Sequence, residues 1–282
     1  MHFRVIGLAV AFSPTARAMM AEACRLVTHF KAHLILIHVG PHGTEEDHKM
    51  KALLESTGLP ESSYKIVWKT GDPVKQILAA CQQEKIDLLI AGALKKENLV
   101  NYYLGTVARK IIRKANCSVL LVTSPSVEAR PLHNIIVNAE DSPYIQQAIE
   151  AACTWSQTGP GTWIHIVREL KLLGLALAAN EQCTEEEYAL TKQHLMREET
   201  VEVERMLERI PHRKLKINVK MLSGKSGFEL ARFAERKEAE LLVLGAPRRK
   251  LSLLDRVFPH DQEYIFNDLP CNLLVIHPGT HE

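Results

Sequence analysis

The 282-residue sequence is first informative for the chemical motifs that it lacks. It contains no CxxC, HExxH or GxSxG, so nothing in it indicates a thioredoxin-type redox pair, a zinc protease or a hydrolase nucleophile elbow. No apolar run approaches the ~20 residues that a membrane-spanning helix needs, and the first residues do not have the layout of a signal peptide. We therefore expect a cytoplasmic protein without a membrane partner.

Charge and cysteine content bear on two further kinds of ligand, nucleic acids and metal ions. The chain has 35 Lys and Arg residues and 33 Asp and Glu residues, so its net charge is only +2. Proteins that bind nucleic acids usually carry an excess of basic residues on one surface, and this small net charge argues against such a surface. The six cysteines are spread through predicted helices and strands, as is typical of buried, reduced thiols. The sequence accordingly predicts neither a nucleic-acid partner nor a metal cofactor.

The chain contains two copies of one unit. Ser13-Pro14 recurs as Ser142-Pro143, and the offset between matching segments grows from 129 to about 153 residues, so the second copy carries an insertion, which we place at 168–210. Further matches pair Ile37–Val39 with Ile164–Ile166, Asp87–Ala93 with Glu240–Ala246, and Asn116–Val122 with Pro270–Ile276. We predict two domains, 1–127 and 131–282, joined by the linker Pro125–Pro131.

Each copy alternates short apolar runs with amphipathic helical patterns. This alternation predicts an α/β fold of two doubly wound, five-stranded parallel sheets with helices on both faces. Ser13 and Asp72 are predicted helix N-caps, each followed by proline. Strands are expected at 4–10, 33–39, 64–69, 87–92 and 118–123, and again at 134–139, 162–167, 214–221, 240–245 and 272–276. Helices are expected at 15–31, 44–57, 72–84 and 104–114, with a much longer second helix, 184–209, in the second copy.

The expected ligand crevice lies where the strand order reverses. In a sheet ordered 3-2-1-4-5, ligands bind beyond the carboxyl ends of strands 1 and 4. Two loops should line that site: the loop after the first strand, and the loop from Gly92 to Gly105, which ends at the start of a helix. Gly92 would allow a tight turn, and the first-turn amides beside Gly105 and Thr106 could hold an anion. Both glycines could equally serve turn geometry alone.

These residues resemble the universal stress protein family. Its pattern is Gly-x2-Gly-x9-Gly-Ser/Thr after strand 4, and here Gly92, Lys95, Gly105 and Thr106 stand at that spacing. The last strand of each family domain is entered through Pro-Cys-Pro-Val, and here Asn116–Val119 reads Asn-Cys-Ser-Val. The resemblance implies an adenine nucleotide α hydrolase-like sheet in the order 3-2-1-4-5.

The resemblance also implies partners and a ligand. Family domains associate through their last strands, so strands 118–123 and 272–276 should lie edge to edge in an intramolecular pseudo-dimer, with a homodimer as a further form. The family ligand would be ATP or ADP. The corresponding candidate residues are Ala11, Ser13, Val39, Gly92, Lys95, Gly105, Thr106 and Val107.

The sequence departs from the family pattern at several of these positions. Ala11 stands where the family has an adenine-contacting Asp, and Lys95 replaces the second glycine, where its side chain would obstruct the loop more than it would bind phosphate. We therefore expect weak or absent nucleotide binding in the first domain. The second copy has a degenerate site at Glu140, Gly245 and Arg248, and Phe258-Pro259-His260 replaces Gly-Ser/Thr there. Pro259 removes an amide donor, so this copy should have lost the site.

Two other motifs are weaker. Gly224-Lys225-Ser226 follows a strand, but a P-loop needs a glycine where Val219 stands. His38, His42 and His48 lie near the predicted pocket mouth, and His165 matches His38 in the repeat, but their spacing does not force the convergence that zinc requires.

Three functions remain open from the sequence. The favoured hypothesis is a non-catalytic, regulatory stress-response protein that acts through an unidentified protein partner. The first alternative is a nucleotide-free interaction scaffold that uses the 168–210 insertion. The least supported is a slow ATPase, because no activating base or metal carboxylate is recognisable beside Gly105 and Thr106.

Overall fold

The computed structural model describes residues 2–95, 102–103, 105–140, 144–158, 161–170, 185–211, 214–223, 227–246 and 262–277. Two compact units result: 1–131 together with 266–282, and 132–265. The chain thus divides beside the predicted linker, but its last segment groups with the first unit. The assignment of 131–282 to a single tandem domain stays a prediction.

Strands and helices alternate along both units, close to the predicted bounds. The first unit contains β1 (Val5–Val10), α1 (Ala16–Phe30), β2 (His33–Val39), α2 (Thr44–Glu55), β3 (Tyr64–Lys69), α3 (Pro73–Gln83), β4 (Leu88–Gly92), β5 (Leu94–Lys95), β6 (Tyr102–Tyr103), α4 (Thr106–Lys114) and β7 (Ser118–Val122). There follow β8 (Asn134–Asn138), α5 (Ile145–Trp155), β9 (Trp163–Leu170), α6 (Glu185–Glu208), β10 (Lys216–Ser223), α7 (Phe228–Arg236), β11 (Leu241–Gly245), α8 (Gln262–Asn267) and β12 (Asn272–Ile276).

The first sheet has the predicted strand order. Its parallel strands run β3-β2-β1-β4-β7, which is the order 3-2-1-4-5. β12 pairs antiparallel with β7, with Leu273 opposite Leu121, so the predicted edge-to-edge contact of these two strands is confirmed. The Thr123 amide adds a 2.9 Å hydrogen bond to Asn272 Oδ1. The hydrogen-bonding edge of β7 is thereby covered, as exposed strand edges generally must be.

The second unit contains four parallel strands in the order β10-β9-β8-β11. The central strands of both units are nearly all apolar and buried, as is typical of parallel strands that are covered on both faces. The fully buried side chains include Ile6, Leu8, Leu34, Leu36, Leu88, Leu89, Ile90, Val119 and Leu121 in the first unit and Ile135, Ile136, Val137, Ile164, Ile166 and Val243 in the second.

One acidic clamp occurs in both units. Asp87, directly before β4, accepts hydrogen bonds at Oδ2 from the amides of Arg4 (2.8 Å) and Val5 (2.9 Å), where β1 starts. Glu240, directly before β11, does the same for the amides of residues 133–134 at 3.0 and 2.8 Å, where β8 starts. The repeat found in the sequence therefore extends to matching side-chain hydrogen bonds.

The helix caps agree with prediction in one case and differ in the other. Asp72 is the N-cap of α3, and its side chain accepts from the Lys75 amide at 2.9 Å. Ser13 is not the cap of α1: the helix starts at Ala16, and Thr15 occupies the N-cap position without a side-chain hydrogen bond. The Ser13 hydroxyl instead lies 3.1 Å from the Thr15 hydroxyl, because residues 11–15 form a turn of their own.

In the described part of the chain, none of the helices combines the length and apolar character that crossing a bilayer demands.

Candidate functional site

The first unit places most of the predicted nucleotide residues along one edge of its sheet. β1 and β4 are hydrogen-bonded neighbours, so the loop after β1 and the segment after β4 meet at the point where the strand order reverses. Ala11 and Ser13 are exposed in the first of these loops. Val39 is half-buried at the end of β2, and Gly92 is exposed at the end of β4.

The start of α4 offers the anion-binding features that the sequence predicted. Gly105 is the buried N-cap residue, and Thr106 and Val107 are exposed in the first turn. The first-turn amides of a helix have no carbonyl partner within it and carry its positive dipole end. No acidic residue stands in this turn to satisfy them. The arrangement is suited to a phosphate group.

The segment between Gly92 and Gly105 is not a simple loop. Leu94 and Lys95 pair antiparallel with Tyr102 and Tyr103, so β5 and β6 form a small two-stranded ribbon, which the sequence analysis did not foresee. Lys95 stands at the position of the second glycine in the family pattern, and its backbone is part of the extended strand β5. The path of its side chain lies outside the described part of the structure.

Gly92 does not have the role predicted for it. Its φ is not in the left-handed region, unlike that of Gly71 or Gly227. A Cβ added at Gly92 would meet Met19 Sδ at 3.8 Å, an ordinary van der Waals distance. Neither a positive φ nor crowding therefore requires glycine at this position.

An aromatic cluster, formed by Phe12, His38, Trp68 and His42, occupies the carboxyl edge of β1, β2 and β3. Ring centroids lie 4.5 Å apart for Phe12 and His38, 5.4 Å for His38 and Trp68, and 4.2 Å for the stacked His42 and Trp68. His38 is buried, and its Nδ1 donates to the Val10 carbonyl at 3.0 Å. Sequence reasoning noticed the histidines but missed both aromatic residues, whose only signal was their position at strand ends.

A cavity of about 580 Å³ lies beside this cluster, between α1 and α2. Phe12, Ser13 and Leu53 line it, and Arg17 and Lys49 supply positive charge. The Lys49 ammonium lies 5.8 Å from the centre of the Phe12 ring. The mouth of the candidate site therefore combines an aromatic surface with two cations.

The histidines do not converge as metal ligands. His42 Nε2 contacts Asp47 Oδ1 at 2.9 Å, and His48 is exposed on α2. Among the residues that the structure describes, no group of three or more His, Cys, Asp or Glu side chains is arranged to hold a metal ion.

The second unit fills the corresponding edge with an arginine. Arg168, near the end of β9, is buried, and its guanidinium donates to the Ala139 carbonyl at 3.2 Å. It forms ion pairs with Glu199 and, at 3.1 Å, with Glu202, both on α6. The insertion thus contributes a helix that is anchored at the carboxyl edge of the sheet.

The predicted residues of the second site are only partly described. Glu140 is half-buried directly after Ala139, and Gly245 is half-buried at the end of β11. Arg248 and the Phe258-Pro259-His260 segment lie outside the described residues. The structure therefore gives no distances that would join Glu140, Gly245 and Arg248 into one site.

The strand register corrects the predicted match of His165 with His38. His33 opens β2 and Trp163 opens β9, and each is opposite the first residue of the neighbouring strand. Five residues further along, the counterpart of His38 is Arg168. His165 lies only two residues into β9, so the sequence match was out of register by three residues.

The structure also gives an alternative account of the Gly-Lys-Ser motif. Residues 224–226 lie outside the described part, but Gly227, the N-cap of α7, donates its amide to the Glu169 carboxylate at 2.9 and 3.1 Å. An internal carboxylate thus binds at the helix start where a P-loop would bind phosphate. This contact argues against a P-loop.

A parallel sheet ordered 3-2-1-4-5, with the N-terminus of α4 following the strand at its switch point, defines a doubly wound α/β protein. Residues 2–123 match the model of the Universal stress protein family. This match covers less than half of the chain, so the likeness to universal stress proteins holds for residues 2–123.

Two curated universal stress proteins are similar in sequence to part of this chain. A universal stress protein of Methanocaldococcus jannaschii is 31% identical over 86 residues, which is 30% of this chain and 49% of the relative. A universal stress protein of Methanothermobacter thermautotrophicus is 33% identical over 64 residues, 22% of this chain and 42% of the relative. The matches therefore span less than half the length of either relative.

Solved structures extend the likeness of fold to nearly the whole chain. A functionally unknown protein of Pseudomonas aeruginosa PAO1 superposes with a TM-score of 0.70 at 18% identity, covering 98% of this chain and 93% of the other. A universal stress protein of Archaeoglobus fulgidus gives 0.64 at 15% identity, covering 97% and 98%. At these identities the likeness concerns the fold alone.

Proposed function

We propose that this chain is a non-catalytic stress-response protein whose first unit binds ATP or ADP weakly, with the phosphates at the N-terminus of α4. The observation that carries the proposal is the exposed first turn at Thr106 and Val107, which contains no acidic side chain and follows a buried glycine N-cap. This turn lies after β4, whose neighbour β1 supplies the Ala11–Ser13 loop. A nucleotide could therefore contact both segments at once.

Weak affinity follows from what the loop after β1 offers. Ala11 is exposed but carries only a methyl group, so it cannot accept hydrogen bonds from a ribose or a base. The neighbouring aromatic cluster can stack against a base, which is a less selective interaction than a hydrogen bond. We accordingly expect dissociation constants near or above the upper micromolar range, on the order of −5 kcal/mol of binding free energy.

For the second unit we propose no nucleotide. The guanidinium of Arg168 donates to the Ala139 carbonyl and pairs with two carboxylates, at the position where the first unit carries His38 and the aromatic cluster. Arg248 stands where the family pattern has its second glycine, and Phe258-Pro259-His260 replaces Gly-Ser/Thr, which supports the same proposal. Regulation would then depend on one nucleotide site in the chain.

Isothermal titration calorimetry of the full chain with Mg-ATP and Mg-ADP tests the proposal. The intact chain is required because β12 covers β7, so a fragment ending near residue 127 would expose a strand edge. Thr106→Glu places a carboxylate among the α4 amides, where it competes with phosphate but suits the helix dipole. Thr44→Glu is the matched control, because Thr44 is also exposed and also opens a helix.

We expect weak binding by the parent chain, unchanged in Thr44→Glu and lost in Thr106→Glu. Equal binding by the two variants would contradict the assignment of the site to α4. The same samples, assayed for phosphate release from Mg-ATP, test the slow ATPase alternative, and we expect no release above that of the solution without protein.

A second candidate function is an interaction scaffold built on α6. The outer face of this helix exposes two large apolar side chains, Leu190 at 65% and Val201 at 42% of full exposure. About three helical turns separate the two residues, so both side chains lie on the same face of α6. Sedimentation of the parent chain and of a Leu190→Glu, Val201→Glu double variant tests for self-association: a dimer that dissociates in the variant would support this function.

A further inference from the structure

A second cavity lies at the opposite end of the first sheet from the candidate nucleotide site. It has a volume of about 640 Å³ and opens at the amino-terminal ends of β4 and β7. Two cysteines, Cys81 and Cys117, line it together with Lys85 and Lys114. Neither the proposed function nor the family pattern assigns any chemistry to this pair of thiols.

Backbone hydrogen bonds hold the two cysteines beside the same short segment. The Cys81 carbonyl accepts from the Ile86 amide at 2.9 Å, where α3 leads towards β4. Asp87 follows Ile86, and its carbonyl accepts from the amide of Ser118 at 3.0 Å. Ser118 directly follows Cys117. The two cysteines therefore flank one dipeptide and line the same cavity.

We propose that Cys81 and Cys117 are a dithiol modification site, at which a hydroperoxide oxidises the two thiols to an intramolecular disulfide. In the first step the Cys81 sulfur attacks the peroxide O–O bond, becomes a sulfenic acid and releases an alcohol, or water when the oxidant is hydrogen peroxide. In the second step the Cys117 sulfur attacks the Cys81 sulfur, the S–O bond breaks and water leaves. Two thiols lose two electrons and two protons, and one hydroperoxide accepts them.

Within this proposal the first attack is assigned to Cys81. The neighbouring Cys81, followed by burial, raises the pKa of the Cys117 thiol, which keeps Cys117 protonated. Lys85 and Lys114, which line the same cavity, favour the negative charge that develops on the attacking sulfur. Because the thiolate is the reactive form, the reaction should accelerate as the pH rises.

Closing this bond would act on the segment that carries the candidate nucleotide site. The cross-link encloses β4, the β5–β6 ribbon and α4, the elements on either side of Gly105. A disulfide that closes a loop of this size restricts mainly the unfolded chain, so oxidation should raise the melting temperature of the first unit. The cross-link would connect an oxidative signal to the stability of the nucleotide site.

The experiment uses the full chain, titrated with hydrogen peroxide, quenched with an alkylating reagent and mapped by mass spectrometry after digestion with trypsin and endoproteinase Glu-C together. We expect a mass loss of about 2 Da in one linked peptide pair that contains Cys81 and Cys117. Cys24→Ser is the matched control, because Cys24 is the least buried of the cysteines that the structure describes, and it should form the same link. Cys117→Ser should instead accumulate a sulfenic acid on Cys81, trapped with dimedone.

Links that involve other cysteines, or oxidation of Cys24 alone, would overturn the proposal. A measurement without substitutions keeps it testable if the serine variants do not fold. Phenylarsine oxide bridges neighbouring thiols, so it should protect Cys81 and Cys117 of the parent chain from alkylation together. Protection of neither, or of only one, would contradict the pairing.

Discussion

The acidic clamps predict how much a single carboxylate contributes to each unit. Asp87 accepts two backbone amides at the start of β1, and both bonds go to the same oxygen, Oδ2. Asp87→Ala removes both acceptors and leaves the partly buried Val5 amide without its partner. Asp87→Asn keeps one carbonyl oxygen in place of Oδ2, loses the charge and replaces the second carboxylate oxygen with an NH2 group.

The magnitude follows from the number and kind of bonds. A hydrogen bond to a charged group contributes about 1.5–3 kcal/mol, and the Asp87 side chain is half-exposed, which favours the lower value. Asp87→Ala should therefore cost about 3 kcal/mol of unfolding free energy. Asp87→Asn should cost roughly half of that, since neutral hydrogen bonds are about half as strong. Glu240→Ala and Glu240→Gln should have parallel effects in the second unit, because its two bonds have nearly the same lengths.

Urea unfolding followed by tryptophan fluorescence separates the two units. Trp68 reports on the first unit, whereas Trp155 and Trp163 report on the second. A Trp68→Phe background shows the second unit alone. With a typical slope of 1–3 kcal/mol per molar urea, the Asp87→Ala midpoint of the Trp68 signal should fall by roughly 1 M or more. An unchanged midpoint, or equal loss in the Ala and Asn variants, would refute the clamp.

Further predictions concern individual side chains. Ala11→Asp supplies the carboxylate that the loop after β1 lacks, so the affinity of the full chain for ADP should rise about tenfold by calorimetry, the value of one added hydrogen bond of about 1.4 kcal/mol. Burial lowers the pKa of His165, whose Nδ1 accepts from Asn218 at 3.3 Å, so the folded state prefers the neutral ring. Stability should therefore be lost as the pH falls below about 6.5, where the unfolded state gains a proton, and thermal melts of His165→Gln should not show this dependence. Gly92→Ala should change stability by less than about 0.5 kcal/mol in urea unfolding, since its Cβ only touches Met19.

Much of the first unit could be predicted from the sequence because its strands are short apolar runs between clear helix signals. The predicted strand 64–69 and helix 44–57 agree with β3 and α2 to within two residues. The strand order was implied by the resemblance to the universal stress protein family, which rests on the spacing of Gly92, Gly105 and Thr106. In the second unit the long helix predicted at 184–209 is α6.

The features that were missed depend on side chains that meet only in the folded chain. No motif surrounds Arg168 in the sequence. The strand register shows that Arg168 occupies the position in β9 that His38 occupies in β2. Phe12 and Trp68 are more than 50 residues apart, so no local pattern joins them. The β5–β6 ribbon consists of two residue pairs, too short for a periodic signal.

Nuclear magnetic resonance of the full, isotopically labelled chain during titration with ADP tests the placement of the ligand most directly. We predict that the backbone amide signals of Thr106, Val107 and Ala108 shift progressively in the millimolar range, together with that of Ser13. Shifts confined to α6, or an unperturbed α4 at saturating ADP, would contradict the assignment of the nucleotide site to the first unit.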